Sequence, residues 1–320
     1  MKVVLPVAGV GARMRPLTLN APKCLLPIAG GSILGHILKK LEGLPITEYI
    51  FVVGYLGDAV EEYVHREFSD LPSRFVRQSN QQGLGEAIYL CKDFFGNEPL
   101  LIILGDTLFE ADFSQLNNLQ TNILYTREVA DPKRFGVAKT DKNGTVEFLV
   151  EKPAEFVSNQ ALVGIYAITN AAELSQALGE LISNNRRTRG EFQLTDALES
   201  MLKSGCVFKT AGIDEWLDCG TPEILLESNK YLLKNSDPHY SVGEGSEIVN
   251  CEIGNFVSIG KNCKLQNVKI ENSIVSDECE ISNSKICKSI LCENARINDF
   301  EGSVYLGNYS AVRGVSQIVP

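Results

Sequence analysis

A repeat of sixteen residues near the C-terminus does most to limit what this chain can fold into. Ile259–Ile274 (IGKNCKLQNVKIENSI), Val275–Ile290 (VSDECEISNSKICKSI) and Leu291–Leu306 (LCENARINDFEGSVYL) follow one another without a gap. Ile259, Val275 and Leu291 share a register, as do Leu265, Ile281 and Ile297, and Cys263 falls on Cys279. Within a repeat, apolar residues recur at steps of five or six, separated by Asn, Ser, Gly and charged residues that favour turns. Strands this short bury one side chain per face and complete a core only by stacking on neighbouring copies. The segment 242–320 therefore reads as a stack of parallel coils, and an irregular β-sandwich fits so strict a register poorly. The polar stretch Lys234–Tyr240, with Asn235, Ser236, Asp237 and Pro238, marks its boundary.

The coil spacing resembles a left-handed parallel β-helix of hexapeptide type, slightly shortened. Residues 1–235 follow a different pattern, in which apolar strand-like runs alternate with helical periodicity. Strands are predicted at Lys2–Val7, Tyr49–Val53, Arg74–Arg77 and Leu100–Leu104, and helices at Ile33–Leu41, Ala59–Phe68 and Leu84–Phe94. This alternation predicts an α/β domain: a doubly wound, mainly parallel, Rossmann-like sheet with helices on both faces. Ligands of such sheets collect at the carboxyl ends of the strands. Two unusual stretches fall there, Ala8–Arg15 after the first strand and Gly105-Asp106 after a later one.

A length of 320 residues with 44% hydrophobic content supports two domains, each with its own core. The net charge of −10 argues against a protein that coats nucleic acid or an anionic membrane. No run reaches the roughly 18 apolar residues of a membrane span, and the N-terminus has no secretory pattern. Nine scattered cysteines without paired CxxC spacing read as reduced thiols. A cytoplasmic protein is expected.

In an acidic chain, clustered cations stand out. Ala8-Gly9-Val10-Gly11-Ala12-Arg13-Met14-Arg15 is followed by Pro22-Lys23. A glycine-rich loop after a strand exposes backbone N–H groups to an anion, and Arg13, Arg15 and Lys23 add the positive charge a triphosphate needs. Alone, Gly-x-Gly marks a tight turn. The loop is neither a Walker A sequence nor a GxGxxG fingerprint, but together with two arginines and a lysine it is far more specific.

The run AGVGARMRPLTLNAPKCLLPI resembles the signature loop of the sugar-phosphate nucleotidylyltransferases, of the uridylyl and thymidylyl types. The similarity continues in order through VRQSNQQGLGEA (Val76–Ala87), LGD (Leu104–Asp106), RFGV (Arg134–Val137), EKP (Glu151–Pro153), GEFQLTDAL (Gly190–Leu198) and EWLDCGTPE (Glu215–Glu223). The resemblance implies that Arg13 grips the triphosphate and that Lys23 meets the phosphates near the reacting phosphorus. It implies a nucleotide site at Ala8, Gly9, Val10, Gly11, Gln78 and Gly83, with Gln78 reading a pyrimidine edge. Gly136, Glu151 and Lys152 would hold the sugar phosphate, and Asp106 and Asp218 would bind Mg²⁺. The implied reaction joins UTP or dTTP to a sugar 1-phosphate, with glucose 1-phosphate first in line; the repeat tail is expected to be structural, for oligomerisation or regulation, and a homo-oligomer is expected. In one departure, Ala12 replaces the usual loop threonine.

Plainer readings accompany each residue: Asp106 as a turn cap, Gln78 as a solvated amide, Asp218 as a partner of a helix start. A catalytically silent sugar-nucleotide sensor or scaffold on the same fold is the rival from another class. Acyl transfer by the coils is disfavoured, since His36, His65 and His239 all precede the repeats.

Overall fold

The computed structural model describes residues 1–314. The last six residues of the predicted coil segment, 315–320, lie outside the described residues. The chain forms two compact units: Met1–Gly9 with Leu41–Trp216, and Val10–Lys40 with the chain from Leu217 onward.

The first unit is built on a nine-stranded sheet. Its strands are β1 (Lys2–Pro6), β2 (Glu48–Val53), β3 (Ser73–Arg77), β4 (Leu100–Ile103), β5 (Asn122–Glu128), β6 (Gly136–Thr140), β7 (Val146–Glu151), β8 (Gln160–Ile168) and β9 (Phe208–Gly212). The order is β7-β6-β8-β4-β1-β2-β3, with β5 pairing both β8 and β9. The four strands β4, β1, β2 and β3 are mutually parallel, as the alternation predicts. β4, β1 and β2 are apolar almost throughout, the pattern of strands covered on both faces, whereas the edge strand β3 (SRFVR) is half polar and only partly buried. Beyond β4 the expectation of a mainly parallel sheet needs correcting. β8 runs antiparallel to β4, β5 and β6, and β6 antiparallel to β7. The sheet is parallel-rich at one side and mixed at the other. Val4, Ile50, Ile102, Leu124 and Tyr166 from its strands share a core with Ile88, Leu174 and Leu198 from the flanking helices.

The register of β8 against β5 shifts between Leu162 and Tyr166, around Gly164 at φ +85°. A Cβ on Gly164 would lie 2.7 Å from Leu104, whose N–H donates to Gly164 O at 2.9 Å. Bulges re-aim the chain beside functional sites. This one holds the end of β4, from which Gly105 and Asp106 emerge.

In the second unit the helix Ile33–Lys40, the hairpin of Pro27–Ile28 with Gly31–Ser32, and the helix Pro222–Leu233 accompany stacked coils. One parallel sheet contains Tyr240–Val242, Val257–Ile259, Ile274–Val275, Ile290–Leu291 and Tyr305–Leu306. A second runs through Glu247–Val249, Lys264–Glu271, Glu280–Cys287, Arg296–Asn298 and Ala311–Arg313. The register matches the repeat: Ile259 faces Val275, Val275 faces Leu291, Leu265 faces Ile281, and Ile281 faces Ile297. Val257, Ile259, Cys263, Leu265, Cys279 and Ile281 are among the buried core of the stack. Asn250, Asn262, Asn267, Asn272, Asn283 and Asn294 take positive φ at the corners, where asparagine is tolerated better than most residues. Asn267 Nδ2 also donates to Asn283 Oδ1 at 2.9 Å one coil away. The Asn-rich composition of the repeat is thus the chemistry of its corners.

Candidate functional site

In the first unit the glycine-rich loop leaves β1 after Pro6. Val7 still donates to Val52 O at 2.9 Å, and Ala8 then packs on Gly54, where a Cβ would come within 2.9 Å of the Ala8 methyl. Gly9 is exposed, and a Cβ there would meet nothing within 4 Å. Packing does not demand glycine at position 9. Its effect is to leave bare backbone facing open space, as close approach of a phosphate requires. Gln81 Nε2 donates to Ala8 O at 2.5 Å and ties the start of the loop to the segment after β3.

Asp106 is delivered to the same place. Gly105 N donates to Pro6 O at 3.2 Å, and a Cβ on Gly105 would collide with the Val7 side chain. Only glycine lets the end of β4 lie so close to the end of β1. The half-buried Asp106 carboxylate therefore follows a turn pinned beside the root of the loop.

The segment Gln78–Gly83 begins where β3 ends. Gln78 N donates to Val53 O at 2.8 Å, and the buried Gln78 side chain donates through Nε2 to Gly83 O at 3.3 Å and Glu86 Oε2 at 2.5 Å. Gly83 has φ +118°, and a Cβ there would meet Phe192 O at 2.5 Å. Its lack of a side chain is required by the chain itself, since Gly85 N donates to Phe192 O and Phe192 N to Gln82 O, each at 2.8 Å.

Gly136, Glu151 and Lys152 lie together. β6 and β7 pair with Gly136 opposite Glu151. A Cβ on Gly136 would lie 2.9 Å from Glu151 Oε2 and 2.8 Å from Thr195 Oγ1. Thr195 Oγ1 donates to Glu151 Oε2 at 2.7 Å, while Lys152 Nζ lies 3.2 Å from Glu151 Oε1. Glu151 is nearly buried and Lys152 about one-third exposed. Burial, and secondarily the Glu151 carboxylate, hold the neighbouring Tyr166 hydroxyl above its ordinary range. Lys152 takes a left-handed φ of +43°, and Arg189 Nη2 donates to its carbonyl at 3.0 Å.

The second unit carries Val10, Gly11, Arg13, Lys23 and Asp218. Gly11, at φ +65°, starts a 3₁₀ turn over Ala12–Met14. A Cβ on Gly11 would lie 2.9 Å from Thr18 Cγ2 and 3.2 Å from Lys23 Cβ, so glycine allows the loop to fold against both residues. Thr18 Oγ1 donates to Gly11 O at 2.8 Å. The loop thus retains a hydroxyl at Thr18, although position 12 has none. Lys23 opens a second 3₁₀ turn after Pro22. Arg13 and Asp218 flank one point: a Cβ on Gly220 would lie 2.9 Å from Arg13 Nη2 and 3.2 Å from Asp218 Oδ1.

Gln81, Thr195 and Gly220 were not singled out from the sequence, though each lies inside a block that carries the family resemblance. Among the described residues, no three His, Cys, Asp or Glu side chains gather into a metal cage.

The nucleotidyl transferase family model matches residues 2–235. A Haloferax volcanii protein named low-salt glycan biosynthesis nucleotidyltransferase Agl11 is 29% identical, over 88% of this chain and 89% of its own. The UTP–glucose-1-phosphate uridylyltransferase AglF of Haloferax volcanii is 30% identical, over 72% of this chain and 96% of its own. The structure of a putative glucose-1-phosphate thymidylyltransferase from Bacillus anthracis, in complex with sucrose, superposes with a TM-score of 0.63 at 28% identity. That match covers 74% of this chain and 96% of the other. With the family model spanning well over half the sequence, the chain belongs to the nucleotidyl transferase family.

Proposed function

We propose that this protein transfers a nucleotidyl group from UTP or dTTP to a sugar 1-phosphate, glucose 1-phosphate first, releasing pyrophosphate and an NDP-sugar. The observation that carries the sugar-phosphate half is the cluster of Gly136, Glu151, Thr195 and Lys152. A carboxylate held by a hydroxyl accepts hydrogen bonds from sugar hydroxyls, and an adjacent ammonium meets a phosphate. The open backbone at Gly9 and the cations Arg13 and Lys23 serve the triphosphate. The names of AglF and of the Bacillus anthracis protein support the same substrate classes.

The reaction needs no covalent intermediate. An oxygen of the sugar phosphate bonds to the α-phosphorus. The bond from that phosphorus to its β-bridging oxygen breaks, and the electron pair leaves on pyrophosphate. No general base is required, because a phosphate monoester is ionised near neutral pH. The obstacle is repulsion between two polyanions, which Arg13, Lys23 and Lys152 offset while they orient the reactants. Asp106 and Asp218 are the residues that would hold Mg²⁺. Carboxylate oxygens are the donors such a hard ion takes, and it keeps waters and binds substrate phosphates besides. When bound, the metal supplies charge neutralisation at the phosphates. Gln78 spends its amide N–H groups on Gly83 and Glu86, so its carbonyl oxygen is the acceptor it offers to the N3–H of a pyrimidine.

In this reading residues 1–235 carry the reaction, and 242–320 form a left-handed β-helix through which the chain assembles as a homo-oligomer. Val242, Val249 and Tyr309, exposed apolar residues on the coils, support that role. A monomeric mass by light scattering contradicts it. The nine cysteines, none in CxxC spacing, agree with work in the reducing cytoplasm, and no helix among the described residues is long and apolar enough to cross a membrane. A panel of four nucleoside triphosphates against several sugar 1-phosphates with Mg²⁺ tests the base assignment. UTP or dTTP should exceed ATP and GTP clearly, and equal turnover of purines and pyrimidines overturns it.

A further inference from the structure

The segment Val10–Lys40 belongs to the same compact unit as the coils. From the contacts between them we infer that the coil stack is the positioning scaffold of the phosphate loop. The inference rests on the proposed role of that loop. Three contacts carry it. At the far side of the loop, a Cβ on Gly307 would come within 2.8 Å of Pro16 O. Gly307 is buried and is not among the glycines at positive φ. Close approach to Pro16, rather than backbone conformation, is what requires glycine there. One coil earlier the buried Cys292 Sγ donates to Leu17 O at 3.8 Å. After Lys23, the fully buried Asn229 accepts from Ala29 N at 2.9 Å and from Ser258 Oγ at 2.8 Å, while its Nδ2 donates to Phe256 O at 2.9 Å. One carboxamide thereby joins the hairpin after the loop, the helix Pro222–Leu233 and a coil.

The physical need is plain. Val10–Pro22 contains one short 3₁₀ turn and otherwise irregular backbone. Ordering such a segment costs backbone entropy at every residue, and a guanidinium misplaced by about 1 Å loses much of its effect on a transition state. Gly11, Thr18 and Lys23 fix the inner side of the loop, and the coils fix its outer side at Pro16 and Leu17. Arg13 lies between these two anchorages. The coils hold the loop ready before nucleotide arrives. Gly307, Cys292 and Asn229 are positioning residues that act through Pro16, Leu17 and Ala29.

Gly307→Ala tests this in the full chain, because its methyl group presses on the Pro16 carbonyl. Gly254→Ala is the control: it adds a methyl to another coil, where the nearest atoms, at 3.2 Å, belong to Glu271. Both variants should fold with near-native melting curves. Gly307→Ala should raise the KM for UTP or dTTP roughly tenfold and leave the KM for glucose 1-phosphate unchanged; Gly254→Ala should change neither. Native-state hydrogen exchange on the unaltered chain gives a readout independent of turnover. The amides of Met14, Leu17 and Leu19, bonded to Gly11, Met14 and Pro16, should open together with Ile290–Leu306. A folded Gly307→Ala with unchanged nucleotide KM overturns the inference, as does loop exchange independent of the coils. If Gly307→Ala fails to fold, the exchange measurement decides. If the native chain turns over no substrate, the proposed function fails while exchange still decides this inference.

Discussion

Glu151 shows how much of the site rests on one side chain holding another. Its two carboxylate oxygens are engaged by Thr195 and Lys152, and the Thr195 bond fixes the orientation in which Glu151 would receive a sugar hydroxyl in the proposed reaction. Thr195→Val keeps the volume and removes the donor. A hydrogen bond to a charged group is worth about 1.5–3 kcal/mol. The KM for the sugar phosphate should therefore rise tenfold or more while the nucleotide KM stays put, and Thr195→Ser should restore it; equal losses for both substrates would make Thr195 a general stabiliser. Glu151 and Lys152 were legible in the sequence through their block. Thr195 was not, because its role depends on a partner 44 residues away. Gln81 escaped for the same reason, its partner Ala8 being 73 residues distant.

Among the elements, three glycines of the site separate by cause. At Gly83 the positive φ and the Phe192 backbone both forbid a side chain. Gly83→Ala should cost roughly 2 kcal/mol or more, read as a lower denaturant midpoint. Gly9→Ala meets no protein atom within 4 Å and should leave stability within about 0.5 kcal/mol. It should nevertheless weaken nucleotide binding, because the methyl occupies backbone that a phosphate must approach. If Gly9→Ala binds nucleotide normally, the loop does not meet phosphate at that point. Gly105 is different again, needed so that the ends of β4 and β1 can touch. The parallel strands and the repeat register were readable because each leaves a period or an uninterrupted apolar run. The antiparallel course of β8 was hidden. Its nine residues are buried at nearly every position, and a strand covered on both faces carries no alternation from which its direction or partners follow.

Across the whole molecule, a chain of net charge −10 must meet polyanions with local positive charge; in the proposed reaction Arg13, Lys23 and Lys152 supply it, and Asp106 and Asp218 would recruit more as metal. Activity should therefore vanish with a chelator and return with Mg²⁺ while the melting temperature barely moves, since no described cluster uses a metal to hold the fold. A large drop in melting temperature on chelation would instead assign the metal a structural role. The repeat made the register of the stacked coils legible from residues alone, and the order of the sequence blocks made the family legible. The dependence of the phosphate loop on the coils was not, because Pro16 and Gly307 meet only once the chain has folded. The most direct measurement follows UTP or dTTP with glucose 1-phosphate and Mg²⁺, for the native protein and Asp106→Asn side by side. Mass spectrometry of the products should show NDP-sugar and pyrophosphate in equal amounts from the native chain. Asp106→Asn should be folded and about 10²–10³ slower, the usual loss for one electrostatic anchor of a transition state. A native protein that binds the substrates and forms no NDP-sugar, or an Asp106→Asn enzyme of full activity, would contradict the account.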